Sequence, residues 1–315
     1  MPLLRKTKAT AILAAISLFA GSSSALADSD KQPKPSPIPW PETSHSPQWY
    51  DYTIMAGGMG AAVAWNFGIQ PGDRGWGTFA PDETIRNLLR FRSEESRSVA
   101  RNVSDVLYWS GFGIPIVETL VLLPIDYRTS LKVFVMQVES LAVMGQALIL
   151  LERTTGRARP CKQEVTGCGA PDALAGNQTA EDFKSFPSGH TAILTAGTML
   201  SCLEHYRLGI LQKAPLDIAY CALMGTMSVA GGVLRMNADR HYMTDTVVGW
   251  GAGLGTAFLV DYLWHGKFQG YAQGRAEHDP KNEKRSRPIP ISQVHLSPWM
   301  DAQGGGLMLG GSLGL

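Results

Sequence analysis

Long apolar runs separated by short polar segments dominate the chain between residues 51 and 264. The runs are rich in Ala, Leu, Met and Val, and alternating β-branched stretches are few, which is typical of helices rather than strands. The pattern predicts helices at 51–66, 82–92, 96–123, 130–154, 189–206, 216–234 and 243–264. It therefore indicates an all-α domain, in which Pro115 is expected to kink or split the third helix.

Polar segments flank this helical domain of residues 51–264. Residues 28–50 are polar and proline-rich, which predicts an extended leader. Residues 265–315 are first charged and then glycine-rich, and they predict an appended tail, either a hairpin or an irregular, disordered segment. Inside the domain, residues 160–187 form a long, polar, glycine-bearing connection, which in a compact domain usually carries function.

The first 27 residues have the pattern of a secretory signal peptide: a basic start, a short apolar run and small residues before Asp28. Cleavage after Ala27 is expected, and an uncleaved membrane anchor is the alternative. The signal predicts export, most simply to a bacterial periplasm. The composition is 44% hydrophobic and 17% charged, with a formal net charge of +1. It therefore shows no excess of basic residues of the kind that indicates nucleic-acid binding.

Four cysteines fit an oxidising compartment. Cys161 and Cys168 bracket a short polar loop and are predicted to form a local disulfide. Cys202 and Cys221 lie at similar heights on two predicted helices, so they form either a second disulfide or two buried free thiols.

Several predicted helices have the length and apolar character of membrane spans. Gln137, Glu139 and Gln146 interrupt one of them, and Glu118 interrupts another. We therefore expect a soluble domain, or one that only touches a membrane surface, and keep an integral membrane domain as the alternative.

The sequence "RMNADRHYMTD" at 235–245 carries the first candidate chemistry. His241 and Asp245 are four residues apart, which on a helix places them on one face. A carboxylate that accepts the Nδ1 proton of a histidine leaves Nε2 free as a nucleophile. Arg235 adds a planar cation suited to phosphate oxygens.

The sequence "FPSGHT" at 186–191 predicts the start of a helix near Ser188. Backbone N–H groups of Ser188 and Gly189 at that positive helix end are suited to bind an anion, and the Ser188 hydroxyl adds a donor. His190 would then lie beside the bound group and protonate a leaving oxygen. A third segment, "GRARP" at 156–160, adds Arg157 and Arg159.

Taken in chain order, as 156–160, 186–191 and 235–245, the three segments resemble the signature of the type 2 phosphatidic acid phosphatase (PAP2) superfamily. This superfamily includes bacterial class A acid phosphatases and vanadium haloperoxidases. The resemblance covers residues 130–264 and implies a helical bundle of that type. It implies that His241 attacks phosphorus, His190 is the general acid and Asp245 orients His241. It also implies a set of phosphate-binding residues: Arg159, Ser188, Gly189 and Arg235.

Two positions depart from the family pattern. Glu152 stands where the family has a lysine, seven residues before Arg159, and Leu234 replaces a serine. Arg153 and Arg157 are candidate substitutes for the lysine, although neither is in the same register.

The expected function is metal-independent hydrolysis of a phosphate ester through a phosphohistidine, with no cofactor. The substrate is either a lipid phosphate or diphosphate, or a small phosphomonoester, with contact to a membrane surface and none to nucleic acid. Two alternatives remain: a vanadium-dependent haloperoxidase, and a catalytically silent protein of the same fold that binds a membrane or a ligand.

Overall fold

Seven α-helices follow one another along the parts of the chain that a computed structural model describes, which are residues 47–163, 180–211, 213–260, 294–301 and 304–311. They are α1 (Trp49–Gly68), α2 (Ala80–Leu89), α3 (Glu94–Leu122), α4 (Tyr127–Thr155), α5 (Gly189–Leu208), α6 (Ala214–Asn237) and α7 (Met243–Phe258). The predicted all-α class is confirmed, and helix starts and ends lie within three residues of the prediction, apart from the end of the last helix.

Local side chains explain where the helices begin and end. Ser93 and Asp126 accept backbone N–H groups at the starts of α3 and α4, which satisfies donors that the helix leaves free. Gly156 and Gly209 end α4 and α5 with φ of 59° and 60°, a left-handed conformation that costs glycine little. Pro115 lies inside α3, which continues past it to Leu122, so the proline does not split this helix.

Helix α5 lies at the centre of the bundle and packs against α3, α4, α6 and α7. Glycines on its neighbours let backbones approach closely. A Cβ atom at Gly111 of α3 would lie 2.9 Å from Leu194 Cα, and one at Gly253 of α7 would lie 2.6 Å from the Ala192 carbonyl oxygen. Such close approach is typical of helices packed through small residues.

Helices α1 and α4 run parallel to each other. Gly58 of α1 lies against Ala142 of α4 near the middle of both helices. Near the end of α4, Arg153 donates to the Ile69 carbonyl oxygen and, at 2.5 Å, to Asn66 Oδ1 at the end of α1. The two helices therefore end at the same side of the bundle.

The polar residues that interrupt α3 and α4 point into the bundle. Gln137 Nε2 donates to Glu118 Oε2 at 2.8 Å, and both side chains are buried. His205 Nε2 lies 3.3 Å from Glu118 Oε1, and His205 Nδ1 lies 2.9 Å from Asp217 Oδ1. Glu118 and Gln137 therefore do not argue against a membrane location, because they bond to each other inside the bundle and do not lie on its outer faces.

The outer faces carry large apolar side chains, such as Val106 and Trp109 on α3, which are 69% and 65% exposed. Within the described parts of the chain, three helical segments are long and apolar enough to cross a membrane: Glu94–Leu122, Tyr127–Lys162 and Ala214–Asn237. The expectation of a merely peripheral domain is thus not supported by the helix surfaces, and the integral alternative gains support.

The tail contains an antiparallel pair of strands, β1 (Val294–Asp301) and β2 (Gly304–Gly311), with Val294 opposite Gly311. This pairing corresponds to the hairpin alternative for the tail. In the bundle, a disulfide joins Cys202 of α5 to Cys221 of α6. The predicted signal peptide, most of the leader and Cys168 lie outside the described residues, so the predicted Cys161–Cys168 disulfide stays a prediction.

Candidate active site

The predicted site residues meet at one end of the bundle. This end is formed by the starts of α3, α5 and α7, the ends of α4 and α6, and the loops that follow α4 and α6. Backbone contacts bind these elements together: Ser185 N–H donates to the Arg157 carbonyl oxygen, and Cys161 N–H donates to the Asp239 carbonyl oxygen. Segments far apart in the sequence are thereby fixed around one pocket.

His241 is buried in the α6–α7 loop, and its two ring nitrogens have different surroundings. Nδ1 lies 2.7 Å from the backbone carbonyl oxygen of Ser185. A carbonyl oxygen only accepts, so this contact places the ring proton on Nδ1 and leaves a lone pair on Nε2. Nε2 is buried and has no hydrogen-bond partner among the described residues. This is the state that a histidine nucleophile requires.

Asp245 has a different role from the one predicted. Its Oδ2 lies 4.0 Å from His241 Nδ1, which is too far for a hydrogen bond. Instead, Oδ2 accepts the Ser185 hydroxyl at 2.6 Å and the Tyr242 backbone N–H at 2.9 Å. Asp245 therefore orients His241 indirectly, because it fixes Ser185, whose carbonyl oxygen accepts the Nδ1 proton.

Neither candidate substitute for the missing lysine faces the pocket. Arg157 is buried between two carboxylates: it donates to Asp245 Oδ1, and its Nη2 lies 2.5 Å from Asp82 Oδ2. Arg153 points to the end of α1. Arg157 therefore joins two buried carboxylates behind the site, Arg153 joins the end of α4 to the end of α1, and neither residue takes the place of the lysine in the cavity.

Asp82 completes the support behind Arg157. Burial raises the pKa of its carboxyl group, but hydrogen bonds from Arg157 and from the Thr244 backbone and hydroxyl outweigh burial and leave the pKa below its usual value. The ionised form is therefore favoured, as an ion pair with Arg157 requires.

His190 and Arg235 share one carboxylate, Asp105 of α3. Its Oδ1 lies 3.0 Å from His190 Nε2 and 2.8 Å from Arg235 Nη1. The His190 ring packs against Tyr108, with 4.4 Å between the ring centroids. Asp105 thus holds the predicted general acid and a predicted phosphate-binding arginine next to each other.

The start of α5 offers fewer free donors than predicted. The Ser188 N–H donates to the Asp245 carbonyl oxygen at 3.0 Å, and the Ser188 hydroxyl is bonded to Thr191 Oγ1 at 2.8 Å. Both groups therefore cap and anchor the helix. The Gly189 N–H bonds to the carboxyl group of Glu152, so the residue at the lysine position lies at the helix start.

The histidines lie in a positive environment. Burial, followed by the charges of Arg159 and Arg235, holds the pKa of His241 well below its usual value. Burial and Arg235 also lower the pKa of His190 to about 4, although Asp105 opposes them. Burial and then Arg159 lower the pKa of Arg240 to about 10. Clustered cations that lower each other's proton affinity are suited to an anionic ligand.

A cavity of about 250 Å³ opens beside these residues. Its polar part is lined by Glu152, Arg159, Glu181, Lys184, Gly189 and His190. Its other wall is apolar and is lined by Phe112, Leu148, Ile149 and Ile193 with the ring of Tyr108. The cavity therefore has a charged end and an apolar end, and one ligand can contact both. Among the described residues, no three His, Cys, Asp or Glu side chains are grouped so as to hold a metal ion.

Asp105, Ser185 and Asp82 were missed by the sequence analysis. Asp105 is the last charged residue of α3 before the uncharged run 106–117, and an acid in such a place is a usable signal for an internal partner. Ser185 acts through its backbone carbonyl, which no side-chain motif reveals. Asp82 lies 75 residues before its partner Arg157, and nothing in the local sequence marks the pair.

The described residues form an all-α bundle with histidine and arginine side chains gathered at one end. Residues 135–269 match the family model of the PAP2 superfamily, which confirms the resemblance of the three motifs over that part of the chain. A solved structure with some likeness is described as the crystal structure of the first transmembrane PAP2 type phosphatidylglycerolphosphate phosphatase from Bacillus subtilis. It aligns with a TM-score of 0.46 and 16% sequence identity, over 68% of this chain and 95% of that chain. Curated proteins give no match.

Proposed function

We propose that the protein is a phosphatase that hydrolyses a lipid phosphate ester through a phosphohistidine on His241. The observation that carries this proposal is the His241 ring, with Nδ1 bonded to Ser185 and a buried Nε2 that has no partner among the described residues. A neutral imidazole with its lone pair among arginines is prepared to attack phosphorus rather than to take up a solvent proton.

In the first step, His241 Nε2 forms a bond to phosphorus while the bond from phosphorus to the ester oxygen breaks. His190 gives its proton to the leaving alcohol. In the second step, water attacks the phosphohistidine, His190 takes the water proton, and the Nε2–phosphorus bond breaks to release phosphate. Arg159 and Arg235 compensate the charge on the non-bridging oxygens in both transition states.

His190 needs a proton for this role, although its pKa in the free protein is about 4. A bound phosphate brings negative charge next to the ring and raises its proton affinity. Asp105 acts in the same direction from the other side of the ring. We therefore expect substrate binding to be coupled to the uptake of a proton by His190.

The cavity supports a lipid as substrate. Its charged end accommodates a phosphate, and its apolar wall of Phe112, Leu148, Ile149 and Ile193 accommodates the start of an acyl or prenyl chain. The apolar outer faces of α3, α4 and α6 support a location within a bilayer, where such a substrate resides.

The test uses full-length protein in detergent micelles with para-nitrophenyl phosphate, phosphatidate and a polyprenyl diphosphate. Release of phosphate is measured, and the phosphoenzyme is trapped by an alkaline quench of a reaction with radiolabelled substrate. We expect labelled protein with acid-labile phosphate, none of it in His241→Ala, and unchanged labelling in His295→Ala as a control. Full activity of His241→Ala would refute the mechanism, and phosphate binding without any turnover would favour a silent binding protein.

A further inference from the structure

Glu152 lies where the bound phosphoryl group is expected to meet the start of α5. A Cβ atom built on Gly189 would lie 2.5 Å from Glu152 Oε1, and the Gly189 N–H bonds to this carboxyl group. Glu152 also lines the polar end of the cavity together with Arg159 and His190. An acid therefore stands beside the helix-start amide and next to the expected phosphate.

The charged and titratable groups that face Glu152 come from two helices and two connecting segments. Tyr108 faces it from α3, His190 from α5, Arg159 from the loop after α4, and Glu181 and Lys184 from the segment before α5. Glu181 already contacts both cations: its Oε1 lies 2.5 Å from Lys184 Nζ, and its Oε2 lies 3.9 Å from Arg159 Nη2. Arg159 and Lys184, the two cations near Glu152, therefore also interact with Glu181.

An ionised carboxylate at this position repels a phosphate dianion, since two like charges at close range in a partly buried pocket interact strongly. Addition of one proton to the Glu152 carboxylate turns this repulsion into an attraction. A carboxyl O–H donates to a phosphate oxygen in a short, charge-assisted hydrogen bond, and the Gly189 N–H remains satisfied by the same carboxyl group. Burial itself favours the neutral form of a carboxyl group.

We propose that Glu152 selects the protonation state of the substrate, so that the pocket accepts a phosphoryl group only together with one additional proton held between Glu152 and a phosphate oxygen. This proposal rests on the proposed function, because it assumes that phosphate binds at the start of α5. A lysine at the same position would favour the dianion, so Glu152 converts a general phosphate pocket into one for the phosphate monoanion. The proton is returned when phosphate leaves, and it is separate from the proton that His190 transfers.

The proton that His190 is expected to take up on phosphate binding is separate from the proton on Glu152. In the free protein the pKa of His190 is about 4, and that of His241 is held well below its usual value. A Glu152→Gln variant retains both histidines, so the ratio of its phosphate affinity to the wild-type affinity at each pH reports on the carboxyl group. Glutamine has the same shape and can donate a hydrogen bond, but it carries no charge at any pH.

The experiment measures the affinity of full-length protein in detergent micelles for inorganic phosphate, by isothermal titration calorimetry at pH 5, 6, 7 and 8. The wild type, Glu152→Gln and the control Glu95→Gln are compared. We expect similar affinities of wild type and Glu152→Gln at pH 5, and at least tenfold tighter binding by Glu152→Gln at pH 8. The Glu95→Gln control should follow the wild-type pH dependence within about threefold, since Glu95 is exposed and does not line the cavity.

Parallel pH curves for wild type and Glu152→Gln would overturn the assignment of Glu152 even with phosphate bound. This criterion uses the ratio of the wild-type affinity to the Glu152→Gln affinity. If that ratio does not fall between pH 5 and pH 8, the assignment is overturned whatever the absolute affinity of the variant. No phosphate binding by any of the three proteins at any pH would instead refute the proposed function. The two failures are therefore distinguished by whether phosphate binds at all.

Discussion

Asp105 is the residue whose replacement tests the site most directly, because one carboxylate oxygen contacts both His190 and Arg235. Asp105→Asn keeps the shape and removes the charge. A hydrogen bond to a charged group contributes about 1.5 to 3 kcal/mol. The Asp105 side chain is 43% exposed, so we reduce this to about 1 to 2 kcal/mol, which corresponds to a loss of about 5- to 30-fold in kcat/KM.

The chemistry of the leaving group makes this prediction specific. Asp105 raises the pKa of His190 against burial and Arg235, so its loss lowers that pKa further and leaves less His190 protonated to act as the proposed general acid. Protonation matters for an alkoxide but little for para-nitrophenolate, which leaves readily without it. We therefore expect Asp105→Asn to lose more kcat with phosphatidate than with para-nitrophenyl phosphate.

The matched control is Ser104→Ala, which removes the 3.2 Å contact of Ser104 Oγ with Arg235 Nη1 and the hydrogen bond from Ser104 Oγ to the Arg101 carbonyl oxygen, but leaves Asp105 in place. Its loss should be small and equal for the two substrates. The reasoning is refuted if Asp105→Asn stays within twofold of wild type, or if it loses the same factor with both substrates.

Three further predictions concern stability. Arg157→Leu leaves Asp82 and Asp245 as unpaired buried carboxylates, so we expect a loss of about 3 to 5 kcal/mol in thermal or chemical unfolding, and a loss below 1 kcal/mol would contradict it. The lowered pKa of Asp82 means that its ionised form stabilises the fold; this contribution is complete above the usual value of 3.8 and is lost as the pH falls below it through the lowered pKa. The gap in unfolding free energy between wild type and Asp82→Asn should therefore be constant above about pH 5 and shrink below pH 3.8, and a gap that widens in acid would be the wrong sign. Reduction of the Cys202–Cys221 disulfide, which closes a separation of 19 residues, should cost about 3 kcal/mol, and reductant should lower the unfolding midpoint of wild type more than that of Cys202→Ser/Cys221→Ser, in which only the predicted Cys161–Cys168 disulfide can respond.

The helices were largely predictable because each one is an apolar run bounded by residues that start or stop helices. Ser93, Asp126 and Gly156 mark these limits in the sequence. The membrane question was harder from sequence. Periodicity places Glu118 and Gln137 within apolar helices, but only the three-dimensional packing shows that they bond to each other inside the bundle.

The motifs marked residues that lie together at one end of the bundle, but not how these residues are connected. The spacing of His241 and Asp245 indicated a direct hydrogen bond, whereas the loop geometry inserts Ser185 between them. Helix-start amides were predicted to face the ligand, yet the Ser188 N–H serves the α7 start. Backbone partners of this kind depend on loop conformation, which sequence patterns determine least.

The parallel course of α1 and α4 has a consequence for the compartment in which the reaction takes place. Both helices begin at the end of the bundle away from the pocket, and α7 runs from the pocket back to that far end. In a bilayer, the chain near Trp49 and the chain near Phe258 would therefore emerge on one side, and the phosphate ester would be cleaved on the other. The compartment that contains Trp49 is then opposite to the one that contains the proposed active site. A topology reporter attached beside Trp49 would therefore show on which side of the membrane the proposed reaction takes place.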